Sequence, residues 1–145
     1  MKKCAAVLVA WVSLLQVMAA EATWLTDFAA AKSKAKAEKK LLLMDFTGSD
    51  WCSWCIKLQK EVFSKKDFIE YANKNLVLLD VDFPQKKKQS TSQKRANESL
   101  QEQFKIEGFP TIVVLNSEGK RVGDLGYQEG GPQPFIAELE KLKKK

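Results

Sequence analysis

Residues 41–55 read LLLMDFTGSDWCSWC, and the order of residue types within this stretch decides the fold. The apolar run over residues 41–46 is typical of a buried strand, because such strands read as continuous hydrophobic stretches. Residues 47–50 predict a turn, and a helix is expected to follow it. Cys52 and Cys55 therefore lie in the first turn of a helix that comes directly after a strand.

The stretches on either side predict further helices and strands. Amphipathic spacing indicates helices over 24–40, over 51–62, from Ser64 onward, over 100–108 and from Pro132. The expected N-caps are Thr26 or Asp27 for the first helix, Asp50 for the second and Ser64 for the third. Apolar runs indicate strands over 41–46, 76–83, 111–115 and, after a turn, 121–125. The polar, basic residues 85–97 predict an exposed loop. This order predicts an α/β fold with a central mixed sheet and helices on both faces.

The composition narrows the chemistry that the protein can perform. The chain has 145 residues, which suits one domain, and 24 Lys and Arg against 18 Asp and Glu give a net charge of +6. It has no histidine, so Ser-His-Asp and Cys-His catalysis, HExxH zinc sites and His-ligated haem are excluded. We expect no metal and no organic cofactor. The lysine-rich runs lack interleaved aromatic residues, so we interpret them as solvated surface and expect no nucleic-acid partner.

The first residues predict a signal peptide over residues 1–20. Lysines at positions 2 and 3 precede an apolar stretch over 4–18, and alanines at 19, 20 and 22 follow it. Cleavage after Ala20, or after Ala22, would release a periplasmic or secreted protein and remove Cys4. A membrane anchor is the alternative, but the apolar stretch is shorter than the ~20 residues that a spanning helix needs. The two remaining cysteines can form one bridge, in a compartment where disulfides persist.

The spacing of Cys52 and Cys55 favours a reversible disulfide. Side chains at i and i+3 of a helix lie about 5–6 Å apart at Cβ, which a disulfide bridges with little backbone movement. Cys52 faces the unpaired N–H groups and the positive dipole end of the helix, which favour the attacking thiolate. Cys55 lies one turn inward and suits the resolving role. The alternatives are a structural bridge, a zinc site completed by carboxylates or a dimer, and an inert pair of thiols.

Landmarks along the chain resemble the thioredoxin superfamily. They are residues 43–46 (LMDF), Trp51 with the CxxC pair, residues 108–111 (GFPT) and Gly126, in that order and at similar spacing. The resemblance covers residues 24–143. Within the superfamily, the chain is similar to exported bacterial thioredoxin-like proteins and to the soluble C-terminal domain of the periplasmic thiol:disulfide interchange protein. This resemblance implies a thioredoxin fold in one domain over residues 24–145.

The resemblance also implies roles for residues outside the cysteine pair. Asp45 matches a buried acid beneath the active site, whose raised pKa would let it take the proton of Cys55. A strand-end aspartate hydrogen-bonded to local backbone is the alternative for Asp45. The implied substrate groove is formed by Trp51, Phe109, a cis Pro110 and Gly126, with Trp54 as a further exposed contact. Core packing is the alternative for Trp51 and Phe109.

The chain departs from the superfamily pattern in three places around the cysteines. One additional residue separates Asp45 from Cys52, which could change the direction in which the Asp45 side chain points. Lys60 stands where thioredoxins have a proline that kinks the helix. The dipeptide Ser53-Trp54 replaces Gly-Pro, and its tryptophan could contact a partner or shield Cys55.

The sequence therefore predicts a thiol–disulfide oxidoreductase that acts on protein disulfides outside the cytoplasm. Reduction is the direction we favour, although the spacing leaves oxidation and isomerisation open. A reductase needs an electron donor, for which we expect a membrane protein, and we expect the protein to be a monomer. The alternative is a non-catalytic binding module with a structural disulfide, in which residues 85–97 would be the contact surface.

Overall fold

A five-stranded sheet forms the centre of the computed structural model, which describes residues 21–145. The strands are β1 (Trp24–Leu25), β2 (Leu41–Thr47), β3 (Leu76–Asp82), β4 (Thr111–Leu115) and β5 (Arg121–Leu125). The helices are α1 (Phe28–Glu38), α2 (Ser53–Leu58), α3 (Lys66–Asn75), α4 (Thr91–Gln103) and α5 (Pro132–Leu142). A π-helical turn over Gln59–Phe63 continues α2.

The sheet is mixed, with the strand order β1-β3-β2-β4-β5. Strand β3 pairs in parallel with β1 and β2, whereas β4 is antiparallel to β2 and β5. The strands β4 and β5 form a hairpin, and Gly119 adopts a φ of 84° in its turn, a conformation that favours glycine. The expected α/β architecture with a mixed central sheet is confirmed.

Helices cover both faces of the sheet because side chains alternate along each strand. On β2, Leu43 packs into a first core beneath α2, α3 and α5, whereas Met44 packs into a second core beneath α1 and α4. On β3, Leu78 and Leu79 divide between the two cores in the same way. Among residues 21–145, no helix has the length and apolar character needed to cross a membrane.

The N-terminal part of the domain differs from the expectation. The signal peptide expected over residues 1–20 lies outside the described residues. The helix expected from Trp24 starts only at Phe28, because the carboxylate of Asp27 caps it by accepting a hydrogen bond from the N–H of Ala30 at 2.7 Å. Trp24 instead lies in the short edge strand β1, where it pairs with Leu78.

The basic stretch over residues 85–97 is a loop only in its first part, and the expectation of a loop is wrong for the second part. Helix α4 begins directly after Ser90, whose hydroxyl accepts a hydrogen bond from the N–H of Gln93 at 3.1 Å. Asn97 is buried, and its side-chain amide donates to the carbonyl of Asp82 at 2.9 Å. The polar composition of residues 91–97 therefore favoured a loop prediction, although Ser90 caps a helix there and the buried Asn97 anchors it.

The helical segment after the cysteines contains a π-helical turn over Gln59–Phe63. The N–H of Ser64 bonds to the carbonyl of Gln59, five residues earlier, at 2.9 Å. Lys60 lies in this turn, where the resemblance places a kinking proline, and π turns and prolines are both recognised causes of helix bends. Ser64 does not cap α3 as expected, because its hydroxyl donates to the carbonyl of Lys60 and Lys65 occupies the cap position.

Candidate active site

A disulfide joins Cys52 and Cys55, whose Cα atoms are 5.2 Å apart. Cys52 is the N-cap of α2, so the helix begins at Ser53 and not at Trp51 as expected. The Sγ atom of Cys52 accepts a hydrogen bond from the backbone N–H of Cys55 at 3.2 Å. This N–H belongs to the first turn of the helix, where backbone donors lack helical partners, and it would stabilise negative charge on the Cys52 sulfur.

Both cysteines are largely buried, with 7% of Cys52 and 4% of Cys55 exposed. The order agrees with the expected greater protection of Cys55, although the difference is small. The backbone N–H of Gly48 points to the Sγ atom of Cys55 at 3.5 Å, on the side of the turn that precedes the pair. Because Cys52 itself presents so little area, the surface around it decides which molecules can reach its sulfur.

Large apolar side chains surround the disulfide on the outside of the protein. Trp51, Trp54 and Ile56 are 39%, 53% and 46% exposed. Neighbouring exposed apolar residues often mark a surface at which another molecule binds. Core packing therefore does not account for Trp51, the alternative that the sequence had left open.

Trp51 is held by the segment after β3 and by the segment before β4. Its indole N–H donates to the carbonyl of Phe83 at 2.7 Å, and its ring and that of Phe109 are nearly perpendicular, with the centroids 6.0 Å apart. Phe109 is half-buried and stacks on Phe83 at 5.1 Å. The peptide bond between Phe109 and Pro110 is cis, as the resemblance implied. The structure therefore brings Trp51, which directly precedes Cys52 in the chain, together with Phe109 and the adjoining Pro110.

Trp54 lies against Tyr127, which directly follows Gly126. The two ring centroids are 5.1 Å apart, and the Nζ atom of Lys57 lies 5.1 Å from the centroid of Trp54. A methyl group added at Gly126 would meet no atom of the described residues within 4 Å, so these residues leave the space beside this glycine open. Lys57 was not among the residues predicted from the sequence, although its spacing of three residues from Trp54 places the two on one helix face.

Asp45 lies on β2 two residues after Leu43, so its side chain points to the sheet face that α2 covers. It is 7% exposed, and its Oδ1 atom has no hydrogen-bond partner within the described residues 21–145. Burial, and secondarily the neighbouring Asp80 and Asp82, raise the pKa of the Asp45 carboxyl well above its usual value. Asp45 lies inside the strand, so the alternative of a strand-end aspartate does not describe it.

A cavity of about 530 Å³ lies between the sheet and the helix that carries Cys55. Its walls include Asp45, Cys55 and Asp80, together with Lys60 and Lys87, which are exposed. The cavity therefore extends from beneath the disulfide to the protein surface. The structure places Asp45 in the same cavity as Cys55, despite the additional residue in the turn between them.

Asp80 is a second acidic residue of this cavity and was not among the residues predicted from the sequence. It is the direct partner of Asp45 in the parallel pairing of β2 and β3. Burial, and then the charge of Asp82, raise the pKa of Asp80 to about 6, whereas Lys87 opposes this rise. Within residues 21–145, no three His, Cys, Asp or Glu side chains are grouped so that they could hold a metal ion.

Asp50 does not cap α2 as expected but binds the segment after β3. Its carboxylate accepts hydrogen bonds from the backbone N–H groups of Gln85, Lys86 and Lys87 at 2.9, 2.8 and 2.7 Å. These bonds, the one from Gln85 first, hold the pKa of Asp50 below its usual value. Cys52 occupies the cap position of α2 instead.

Comparisons with known proteins agree with this geometry. A family model described as a thioredoxin-like domain matches residues 28–143. The disulfide bond reductase DsbH of Chlamydia pneumoniae is 36% identical over 124 residues, which cover 86% of this chain and 74% of that protein. A solved structure of a DsbH oxidoreductase has a TM-score of 0.81 at 35% identity, and the match covers 86% of each chain.

The thiol:disulfide interchange protein DsbD provides a more distant comparison. DsbD of Pseudoalteromonas atlantica is 30% identical over 98 residues, which cover 68% of this chain and 15% of that protein. The oxidised C-terminal domain of Neisseria meningitidis DsbD has a TM-score of 0.57 at 21% identity, covering 78% of this chain and 90% of that domain. The second similarity shows a shared fold.

The chain belongs to the thioredoxin-like family. Its sheet and flanking helices form the thioredoxin fold, which confirms the fold that the resemblance implied. Within the family it is a DsbH-like homologue of thiol–disulfide oxidoreductases, and Cys52 and Cys55 form its CxxC redox couple. The expected class of enzyme and the expected similarity to the C-terminal domain of DsbD are confirmed.

Proposed function

We propose that the protein reduces disulfide bonds in other proteins outside the cytoplasm. The observation that carries this proposal is the disulfide between Cys52 and Cys55 at the start of α2, with the exposed Trp51 and Trp54 beside it. Similarity to a protein named a disulfide bond reductase supports the reductive direction. The signal-peptide pattern of the first residues supports export to the periplasm or the exterior.

Reduction of a client protein takes two thiol–disulfide exchanges. In the first, the Cys52 thiolate attacks the client disulfide, a bond forms between Cys52 and one client sulfur, and the other client sulfur leaves as a thiolate. In the second, the Cys55 thiolate attacks Cys52, the bond between Cys52 and Cys55 forms, and the remaining client sulfur leaves. The two client thiolates take protons from water. The client gains two electrons, and the protein loses two.

The different surroundings of the two cysteines support these roles. Cys52 is the N-cap of α2 and receives the N–H of Cys55, and a helix start lowers the pKa of a thiol. Cys55 lies slightly deeper and lines the same cavity as Asp45. This position suits attack on the Sγ atom of Cys52 within the same protein. Asp45 is the carboxyl group that exchanges a proton with Cys55 during the second step.

Client contacts fall on the surface around Cys52. This client surface consists of Trp51, Trp54, Phe109, Pro110 and Gly126. Its two tryptophans offer exposed apolar area, and the open space beside Gly126 leaves room for a client backbone. Apolar contacts of this kind accept many sequences, which suits a reductase that acts on more than one client.

Repeated reduction requires a dithiol donor, because each client leaves the protein with the bond between Cys52 and Cys55. Export separates the protein from reductants of the cytoplasm, so the donor in this proposal is a membrane protein that carries electrons outward. The protein acts as a monomer, since one CxxC couple completes both exchanges.

The proposal is tested with cysteine variants of the full chain. Cells that produce Cys55→Ser should accumulate mixed disulfides with client proteins that dithiothreitol releases, because the second exchange is blocked. Cells that produce Cys52→Ser should accumulate none, and Ser53→Ala, which keeps both cysteines, should behave as the wild type. Reduction of insulin by Cys52→Ser at the wild-type rate would overturn the proposal.

The same experiment distinguishes a binding module with a structural disulfide. Such a module would show no insulin reduction in the wild type, and its melting temperature would fall when dithiothreitol opens the bridge. A redox couple should instead open in mild dithiothreitol, and one thiol should alkylate rapidly near neutral pH.

A further inference from the structure

Two carboxyl groups lie side by side beneath the disulfide. Asp45 and Asp80 are paired in the parallel register of β2 and β3, whose neighbouring strands lie about 4.8 Å apart. Asp80 lies two residues after Leu78, a residue of the core beneath α2, so both side chains point to the sheet face that α2 covers. Both carboxyl groups line the cavity that Cys55 also lines.

In the part of the chain that the structure describes, no cation lies within salt-bridge distance of this pair. Among residues 21–145, neither Asp45 nor Asp80 takes part in a salt bridge, and Lys87 pairs with Asp82 at 3.7 Å. Lys60 and Lys87 stand on the cavity wall, and both side chains reach the surface. Two carboxylates in one poorly solvated cavity repel each other, so the pair favours a state in which it holds one proton.

The location of that proton determines whether Asp45 can accept the proton of Cys55 without a second group. Burial raises the pKa of Asp45 well above its usual value, so the cavity favours the protonated form of this carboxyl group. A protonated carboxyl group cannot accept the proton of Cys55 unless it first gives up its own. Asp80, with a pKa of about 6, is mostly ionised at pH 7 and can receive that proton.

We propose that Asp80 completes a proton path from Cys55 to solvent, an inference that rests on the proposed function. As Cys55 gives its proton to Asp45, Asp45 passes its own to Asp80 through water in the cavity that both carboxyl groups line. Asp80 is half-buried, whereas Asp45 is buried, and it releases the proton toward the exposed Lys60 and Lys87.

The step is balanced. The Cys55 thiol loses a proton, one proton moves from Asp45 to Asp80, and one leaves Asp80 for water. The Cys55 thiolate then forms the bond to Cys52, and the client sulfur leaves with the electron pair of the broken bond and takes a proton from water. Asp80 touches none of the reacting sulfur atoms in this scheme, so it is a positioning residue that acts through Asp45.

The test measures the second exchange by itself. The reduced protein is mixed with 5,5′-dithiobis(2-nitrobenzoate), and the release of the second thionitrobenzoate reports attack of Cys55 on Cys52. In the wild type, we expect the rate of this step to rise through an inflection near the pKa of Asp80, about pH 6. In Asp80→Asn, the inflection should vanish, and the rate at pH 7 should fall by about tenfold or more.

Two further variants separate proton transfer from a structural effect. Asp80→Glu keeps a carboxyl group and should retain the inflection. Asp82→Asn removes a neighbouring charge that raises the pKa of Asp80, so its inflection should persist but move to lower pH. In ¹³C spectra of labelled aspartate side chains, Asp80→Asn should lower the pKa of Asp45, because the charge of Asp80 contributes to raising it.

The outcomes either support or overturn the role of Asp80. If Asp80→Asn keeps the wild-type inflection, whatever its absolute rate constant, the role of Asp80 is overturned. An Asp45 pKa that is the same in Asp80→Asn and in the wild type also overturns it. Failure of the wild type to release the second thionitrobenzoate at any pH would count against the proposed function itself. The two failures are therefore distinguishable.

Discussion

The Oδ2 atom of Asp50 lies 2.7 Å from the backbone nitrogen of Lys87, so the turn before the CxxC pair is bonded to the segment after β3. Ser49 adds a second connection, because its N–H and its hydroxyl donate to the Asp82 carboxylate at 3.0 and 2.5 Å. The turn with the additional residue is therefore bonded both to the end of β3 and to the segment that follows β3. Trp51 is bonded to the same segment through Phe83.

Removing the Asp50 carboxylate should loosen the segment after β3. In Asp50→Ala, the amides of Gln85, Lys86 and Lys87 lose their acceptor, so we expect their hydrogen exchange to accelerate. Asp50→Asn keeps one carbonyl oxygen and should give an intermediate rate. Exchange at these three amides that is as slow in Asp50→Ala as in the wild type would contradict the assignment.

The same connection should weaken in acid. The hydrogen bonds from these amides hold the pKa of Asp50 below its usual value, so the folded protein keeps this carboxylate ionised at a lower pH than the unfolded chain does. Its contribution to stability is therefore complete above the usual value and is lost as the pH falls through the lowered pKa. A ¹³C titration of the Asp50 carboxyl group checks the direction of the shift.

Asp45→Asn should stabilise the oxidised protein at alkaline pH. The folded protein holds the Asp45 proton to a higher pH than the unfolded chain, so stability falls as the pH rises from the usual pKa of 3.8 toward the raised value. Asparagine cannot ionise and removes this loss. We therefore expect Asp45→Asn to have a higher free energy of unfolding than the wild type at pH 8.

Urea denaturation between pH 4 and pH 8 measures this effect. The gain from Asp45→Asn should shrink toward pH 4, where the carboxyl group is protonated in the folded protein and increasingly in the unfolded chain. Asp67→Asn, at an exposed site on α3, serves as the control. If Asp45→Asn and the wild type have equal free energies of unfolding across this pH range, the burial of Asp45 does not reduce stability as the pH rises.

Gly48→Ala should displace Trp51. A Cβ atom at position 48 would lie 2.6 Å from the Nε1 atom of Trp51, closer than real contacts allow, so the indole must move and lose its bond to Phe83. We expect a loss of about 1–3 kcal/mol in the free energy of unfolding. The indole N–H signal of Trp51 in a ¹⁵N spectrum should shift at the same time.

Gly126→Ala is the matched substitution on the client surface. The open space at Gly126 accommodates a methyl group, so the free energy of unfolding should stay within about 0.5 kcal/mol of the wild type. If a client backbone approaches this glycine, the KM for insulin should rise in Gly126→Ala. Identical kinetics in the variant and the wild type would remove Gly126 from the client surface.

Phe135→Ala and Trp54→Ala should separate the core from the client surface. Phe135 is fully buried between Phe63 and Phe68, so its truncation should cost about 3–5 kcal/mol in stability. Trp54 is 53% exposed, and its truncation should leave the stability nearly unchanged and raise the KM for insulin. Denaturant unfolding and insulin reduction measured on both variants check this contrast.

The elements that the sequence predicted well are those with strong local signals. The strand before the cysteines is a continuous apolar run, Pro132 opens α5, and the turn that contains Gly119 joins β4 to β5. The position of the CxxC pair at a helix start followed from the same local pattern. Even so, the prediction that Asp50 caps α2 was wrong. The Asp50 carboxylate binds the segment after β3, which only the tertiary structure brings near it.

The missed elements depend on contacts between distant residues. The strand at Trp24 has two residues and exists because it pairs with β3, which no local pattern shows. The helix that begins after Ser90 has a polar composition, and a buried asparagine bonded to Asp82 helps to hold it. The pairing of Asp80 with Asp45 could not be predicted from the sequence, because it depends on the register of β2 with β3. One signal was present: Asp80 and Asp82 alternate with apolar residues, so their side chains are expected on the same face of the strand.

The π-helical turn at Gln59–Phe63 has a consequence for how the chain tolerates changes in length. A deletion in the middle of an α-helix rotates everything that follows by about 100°, because each turn holds 3.6 residues. A π turn already contains one residue more than an α turn, so loss of a single residue there can be absorbed by regular winding. Shortened variants at this point should therefore keep Cys55 and Phe63 on the face that meets the sheet.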